Sequence, residues 1–204
     1  MPFRVGVLIS GEGTNLQAIL DTVHGHGRIE VVCVGSSRPD AAGLERARAA
    51  GVDAAVFARA DYAERAERDE ALADWLAGHG VDLLVLAGFM EVLGGAFIRR
   101  FEGRIVNVHP SLLPAFPGIR AIEQALDYGV GVTGVTVHFV EEDVDTGPVI
   151  LQEALALPSE ARVEDVRPRL QEIEHRLLPR ALELLASGSV SIDPANPRRV
   201  RLTE

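Results

Sequence analysis

Two polar side chains stand two residues apart in an otherwise apolar run, Asn107 and His109 in Ile105-Val106-Asn107-Val108-His109-Pro110-Ser111-Leu112-Leu113-Pro114. Alternate residues of a strand share a face, so both point the same way. Pro110 then stops regular pairing and opens a loop. A carboxamide and an imidazole side by side over a cleft can polarise a carbonyl and move a proton. One such preorganised donor typically removes ~3–4 kcal/mol of barrier. The same pair is also compatible with a polar strand end bonded to its own loops. Asp145, in Glu141-Glu142-Asp143-Val144-Asp145-Thr146, is the natural third member. A carboxylate near His109 is expected to raise the imidazole pKa and favour the cation. Read alone, Asp145 is equally a solvated turn acid among Glu141, Glu142 and Asp143.

A second stretch, Ser10-Gly11-Glu12-Gly13-Thr14-Asn15, opens a helix. Free N–H groups and the helix dipole favour an anion there. It is no Walker loop, since Gly-Lys-Ser/Thr is missing. It is a poor dinucleotide fingerprint too, because Leu16 stands at the third small-residue position and Gly35-Ser36-Ser37-Arg38 offers no acid for a ribose. A phosphomonoester fits better, against the plainer reading of a tight turn with Thr14 or Asn15 as N-cap. The apolar loop Gly88-Phe89-Met90-Glu91-Val92-Leu93 can line a flat heteroaromatic site or simply pack under the next helix. His138, in an alternating strand, reads as a satisfied histidine of the core or beside the site. His24, His26, His79 and His175 have no ligand-like spacing, so no metal site is expected. No Gly-x-Ser-x-Gly elbow is present, and Ser111 reads as a loop hydroxyl.

These residues need a scaffold, and the chain alternates to supply it. Strands are predicted over 3–9, 29–34, 52–57, 81–87 and 105–109. Helices are predicted after residue 15, over 41–50, over 61–79 with Asp61 as cap, and over 94–101. Such alternation means right-handed βαβ units and a parallel sheet with helices on both faces, a Rossmann-like α/β fold. Ligands then sit beyond the carboxyl ends of the strands, where His109, the 11–15 turn and the 88–93 loop all fall. After Pro114 the pattern changes. A helix over 119–128 precedes strands over 130–140 and 147–157, which read as an antiparallel pair. A long helix over 163–185 follows, with Pro168 near its first turn or breaking it. Val190–Ile192 and Val200–Leu202 could form a tail hairpin. One domain over 1–204 is expected, with a phosphate-binding half over 1–110 and a second half over 111–204.

The composition is that of an ordinary globular protein, 47% hydrophobic and 25% charged. A net charge of −10 argues against nucleic acid or an anionic membrane as main partner. Cys33 is the only cysteine, which excludes an intrachain disulfide. No stretch approaches the ~20 apolar residues of a bilayer span, and no signal peptide is read at the start. A cytoplasmic protein is the default.

Taken together, four stretches resemble the folate-dependent phosphoribosylglycinamide formyltransferase family of purine synthesis. They are Ser10 to Gln17, Ala87-Gly88-Phe89-Met90, Asn107 to Pro114, and Val137-His138-Phe139-Val140 with Asp145-Thr146-Gly147-Pro148. The resemblance spans roughly residues 5–179. It implies Asn107, His109 and Asp145 as the catalytic trio. It implies Gly13, Thr14 and Asn15 at the ribonucleotide phosphate, with Gln171 and Glu174 also on the ribonucleotide. It places Met90, Glu91, Val92 and Leu93, together with Asn107, Glu141, Glu142 and Asp145, around the folate pterin, and Arg65 at the folate tail; the Glu141–Asp145 loop holds the pterin largely through its backbone. The implied co-substrate is 10-formyltetrahydrofolate, its formyl group passing to the amine of glycinamide ribonucleotide, with no metal, in a monomer or homodimer. Glu91 departs from the Arg expected after Phe-Met, and Arg120 and Ile122 stand where some relatives carry His.

The nearest rival is a formyltetrahydrofolate hydrolase, with water as acceptor. Such relatives carry an extra N-terminal domain, whereas here the first strand begins at Phe3. A methionyl-tRNA formyltransferase would want a basic tRNA domain, and a non-catalytic nucleotide-binding module would not need Asn107, His109 and Asp145 together.

Overall fold

β1 (Phe3–Ile9) is a β-branched run buried from Val5 onward, and the first half of the chain assembles around it. The computed structural model describes residues 1–203, which fall into two compact units, Met1–Val106 and Asn107 onward. In the first, β1 pairs in parallel with β2 (Ile29–Ser36) on one side and β4 (Leu83–Leu86) on the other. β2 pairs in parallel with β3 (Asp53–Val56), giving the order β3-β2-β1-β4. Parallel neighbours need crossovers, supplied by α1 (Thr14–Thr22), α2 (Gly43–Ala49) and α3 (Arg65–Gly78), while α4 (Gly95–Arg100) leads from β4 to β5 (Ile105–His109). The Leu84 N–H donates to the Arg104 carbonyl (2.8 Å) where β5 begins.

Parallel pairing puts the carboxyl ends of β1, β2 and β4 side by side. Ser10 Oγ lies 2.6 Å from Ser37 Oγ and accepts the Met90 N–H at 2.8 Å, so the turn after β1 touches the loops after β2 and β4. Gly13, at φ +71°, caps α1 through its backbone conformation rather than a side chain, so neither Thr14 nor Asn15 is the cap. A Cβ on Gly13 would meet Gly43 Cα at 2.6 Å. α3 starts four residues later than the 61–79 reading. Asp61 lies in a short 3-10 turn (Arg59–Asp61), and the Glu67 carboxylate takes the N–H groups of Ala63 (3.1 Å) and Glu64 (3.4 Å) at the true helix start.

The second unit contains α5 (Ala121–Tyr128), β6 (Val132–Phe139), β7 (Val149–Ala156), α6 (Val163–Ala186), β8 (Val190–Asp193) and β9 (Asn196–Leu202). β6 and β7 form the expected antiparallel pair, Val132 opposite Ala156. β8 and β9 form the tail hairpin, and β9 also meets β7 in parallel at Val149 and Arg199. α6 lays Val166, Leu170, Ile173, Leu177, Leu178 and Leu182 into the core of this unit. Pro168 lies close to the first turn of α6, the first of the two expected placements, and does not break it. It and Pro179 lie inside it, where that buried stripe outweighs the lost backbone bonds, each a cost of ~3 kcal/mol or more. Among the described residues no helix is long and apolar enough to cross a membrane.

Candidate active site

The second unit gathers the polar residues of β5, β6 and the β6–β7 loop. His109 is buried at the end of β5, with Nδ1 3.4 Å from Asp145 Oδ2 and Nε2 2.9 Å from the Phe116 carbonyl. A carbonyl oxygen only accepts, so Nε2 carries the proton. The other carboxylate oxygen, Oδ1, lies 3.5 Å from Asn107 Nδ2 and 3.5 Å from His138 Nε2. His138 is itself buried, its Nδ1 donating to the Phe139 carbonyl at 2.8 Å, and Asn107 Nδ2 is 3.4 Å from its Nε2. Asp145 therefore sits at the hub of Asn107, His109 and His138, and is no solvated turn acid.

The local backbone is built to present it. Asp145 has φ +54°, a left-handed conformation uncommon outside glycine, and Oδ2 also accepts the Gly118 N–H at 2.7 Å. Two residues on, a Cβ at Gly147 would run into the Phe139 carbonyl, so only glycine lets the loop return to β7 this closely. The Leu-Leu-Pro loop is fixed to β6 by Thr136, whose hydroxyl donates to Ser111 O (2.7 Å) and accepts from the Leu113 N–H (3.1 Å). Ser111 Oγ donates to the Ala115 carbonyl at 2.6 Å, the loop role expected of it.

The electrostatics correct one expectation. Burial pushes the His109 pKa down, and the Asp145 carboxylate and Phe116 carbonyl pull it up without winning, so it lies below the usual histidine value. Sequence alone shows the carboxylate but not the desolvation, so the expected sign was reversed. For Asp145, burial pushes the carboxyl up, but the bonds from His138 and the Gly118 N–H and the field of His109 outweigh it and hold it at about 2. The resting pair is thus a firmly ionised carboxylate beside an imidazole disposed to be neutral.

In the first unit, Gly13 and Asn15 are buried at the start of α1 and Thr14 is half-buried. The Gly43 N–H donates to the Gly11 carbonyl (3.1 Å), and Arg46 Nε donates to the Glu12 carbonyl (2.8 Å), fixing the turn. In the loop after β4, Met90 and Val92 are exposed, Leu93 is buried, and Glu91 is half-buried. Glu91 is no loose departure, since its carboxylate meets Arg68 Nη1 at 3.0 Å. Arg65 is exposed at the first position of α3. In the second unit, Glu141 and Glu142 are exposed in the β6–β7 loop, and Gln171 and Glu174 lie one turn apart on α6, with Glu174 buried. Arg120, at φ +62°, precedes α5, and Ile122 is buried within it. Sequence reasoning had no means of finding the Phe116 carbonyl, the Gly118 N–H or Arg68, because two are backbone groups and the third is one charge among many on α3.

A sheet of parallel strands with antiparallel pairs toward the C-terminus, and an Asn, His, Asp cluster suited to carbonyl chemistry, define the class. The chain belongs to the formyl transferase family, which matches residues 3–182, and it is accordingly a formyltransferase. Within that family it is similar to the phosphoribosylglycinamide formyltransferase of Haemophilus influenzae, 40% identical over 190 residues, 93% of this chain and 90% of that protein. It is 46% identical over 190 residues to the trifunctional purine biosynthetic protein adenosine-3 of Bos taurus, of which it spans 19%. The crystal structure of glycinamide ribonucleotide transformylase 1 from Symbiobacterium toebii superposes with a TM-score of 0.94 at 51% identity, covering 100% of this chain and 95% of that one.

Proposed function

We propose that this chain transfers the formyl group of 10-formyltetrahydrofolate to the amine of glycinamide ribonucleotide, in the cytoplasm, as a step of purine synthesis. The observation that carries the reading is the convergence of Asn107, His109 and His138 on Asp145 within 3.5 Å in a formyl transferase chain. The relatives named for this reaction support the choice of substrates.

The neutral amine attacks the formyl carbon, a C–N bond forms, and the carbonyl oxygen gathers negative charge. The Phe116 carbonyl marks an acceptor position on His109 Nε2, and a formyl oxygen taking that place receives the Nε2–H. The Asn107 amide is the second donor. As charge builds on that oxygen the imidazole becomes more basic, takes up on Nδ1 the proton that the attacking amine sheds, and closes the bond to Asp145. The stabilisation thus grows toward the transition state, which is what accelerates a reaction. With the amine's proton shed, the formyl carbon–N10 bond breaks, and N10 gains a proton. His109 with Asp145 is the relay assigned to that transfer. Holding both reactants supplies effective molarity.

Gly13, Thr14 and Asn15 are assigned to the ribonucleotide phosphate at the N-terminus of α1, and Gln171 and Glu174 to the rest of the ribonucleotide. Arg65, Met90 to Leu93, Glu141 and Glu142 are assigned to the folate. Incubation with formyl-folate, with and without glycinamide ribonucleotide, tests the reading. Folate product is expected only with the ribonucleotide. Formyl loss without it means a hydrolase, and no loss in either case means a binding module or another substrate.

A further inference from the structure

We propose that Arg68, held by Asp69, Glu91 and the Val92 carbonyl, is a positioning residue that sets the path of the 90–93 loop and through it the affinity for formyl-folate. The inference rests on the assignment of that loop to the folate. Arg68 is fully buried, which is rare for a guanidinium unless it is paired. Its Nε and Nη2 reach Asp69 Oδ1 at 3.0 and 2.6 Å, Nη1 reaches Glu91 Oε2 at 3.0 Å, and Nη2 reaches the Val92 carbonyl at 3.3 Å. Asp69 uses its other oxygen to take the Gly94 N–H at 2.8 Å. With the Ser10 hydroxyl on the Met90 N–H, the loop backbone is pinned at 90, 92 and 94, every second residue, from within its own unit.

At two of those pins the loop holds an apolar side chain out. Met90 is 75% exposed and Val92 59% exposed. Apolar side chains held exposed on a pinned backbone offer a preorganised face to a flat ring, with no ordering cost left at binding. Arg68 joins the loop to α3 at Glu91 and Val92, its planar fork serving the Asp69 carboxylate, the Glu91 carboxylate and a carbonyl at once. Glu91 closes the fork from the loop side, its side chain 38% exposed. Glu91 supplies the loop-side anion that Arg68 Nη1 meets at 3.0 Å and an Arg at 91 would not, so the departure at 91 and the buried cation at 68 belong to one device.

The test is steady-state formyl transfer by the full chain carrying Glu91→Gln, Arg68→Met, or both, with KM measured for 10-formyltetrahydrofolate and for glycinamide ribonucleotide. Each single change is expected to raise the formyl-folate KM ~5-fold or more while the ribonucleotide KM holds, and the double variant to be no worse than Arg68→Met, since contacting partners do not add. Glu91 is itself assigned to the folate, so Arg68→Lys, which keeps the charge and loses the fork, carries the test if Arg68→Met does not fold. An unchanged formyl-folate KM in Glu91→Gln or in Arg68→Lys, equal rises in both KM values, or a lowered melting temperature without the KM split overturns the inference and leaves Arg68 a structural residue. A wild-type chain that consumes no formyl-folate overturns the functional reading itself, a result distinct from all of these.

Discussion

His109 and Asp145 meet through one contact, Nδ1 to Oδ2 at 3.4 Å, while the opposite ring nitrogen is tied to the Phe116 carbonyl at 2.9 Å. Burial and the carboxylate act on this imidazole in opposite directions, and burial prevails. NMR titration of labelled histidine in the free protein is therefore expected to place His109 below 6.5. Asp145→Asn removes the carboxylate that pulls the pKa up, so it should lower the value further. A wild-type value above 6.5, or a rise in Asp145→Asn, contradicts the balance.

The same carboxylate has a stability signature. Asp145 titrates at about 2 in the folded chain against 3.8 for the unmodified side chain. A depressed carboxyl stabilises the fold above its unfolded pKa and loses that contribution as pH falls toward the folded value. Urea midpoints at pH 7 and pH 3 should show the wild type losing on the order of 1–2 kcal/mol more than Asp145→Asn across that interval. Equal losses in the two proteins would remove Asp145 from the acid limb.

Each catalytic assignment predicts a loss of turnover in a folded protein. Removing one oxyanion donor typically lowers kcat by ~10²–10³, which is the expectation for Asn107→Ala. His109→Ala and Asp145→Asn should lose at least as much, with far-UV circular dichroism unchanged. Near wild-type kcat in any of the three withdraws that residue's role.

Gly13 separates the backbone from the chemistry. Its φ of +71° and the approach of Gly43 leave no space for a Cβ, so Gly13→Ala should cost about 1–2 kcal/mol from the left-handed conformation alone. It should also raise the ribonucleotide KM more than the formyl-folate KM. Equal effects on both would detach the turn from the phosphate.

The parts of the fold that were legible had strong local signals. The short, β-branched 3–9 run, followed by Gly11 and Gly13, reads as a buried strand. Two strands without a helix between them read as an antiparallel pair, which β6 and β7 form. The site's outline followed, since strand alternation gives Asn107 and His109 a shared face. What escaped depended on surroundings. Asp61 looked like a cap because the charged, Ala-rich run begins there, but Glu67 reaches back to make the cap at Glu64. Pro168 left two placements open, near the first turn of α6 or breaking it, because sequence does not show how much α6 buries; the first holds. The sign of the His109 shift and the burial of Arg68 failed for the same reason, since both are set by desolvation, which no spacing reveals.

Tracing the carbon tests the central claim most directly. With 10-formyltetrahydrofolate labelled with ¹³C at the formyl carbon, the purified chain and glycinamide ribonucleotide, NMR should show the label as a formamide carbon on the ribonucleotide amine, formed in step with free folate. Label released as formate, or retained on the folate, would contradict the account.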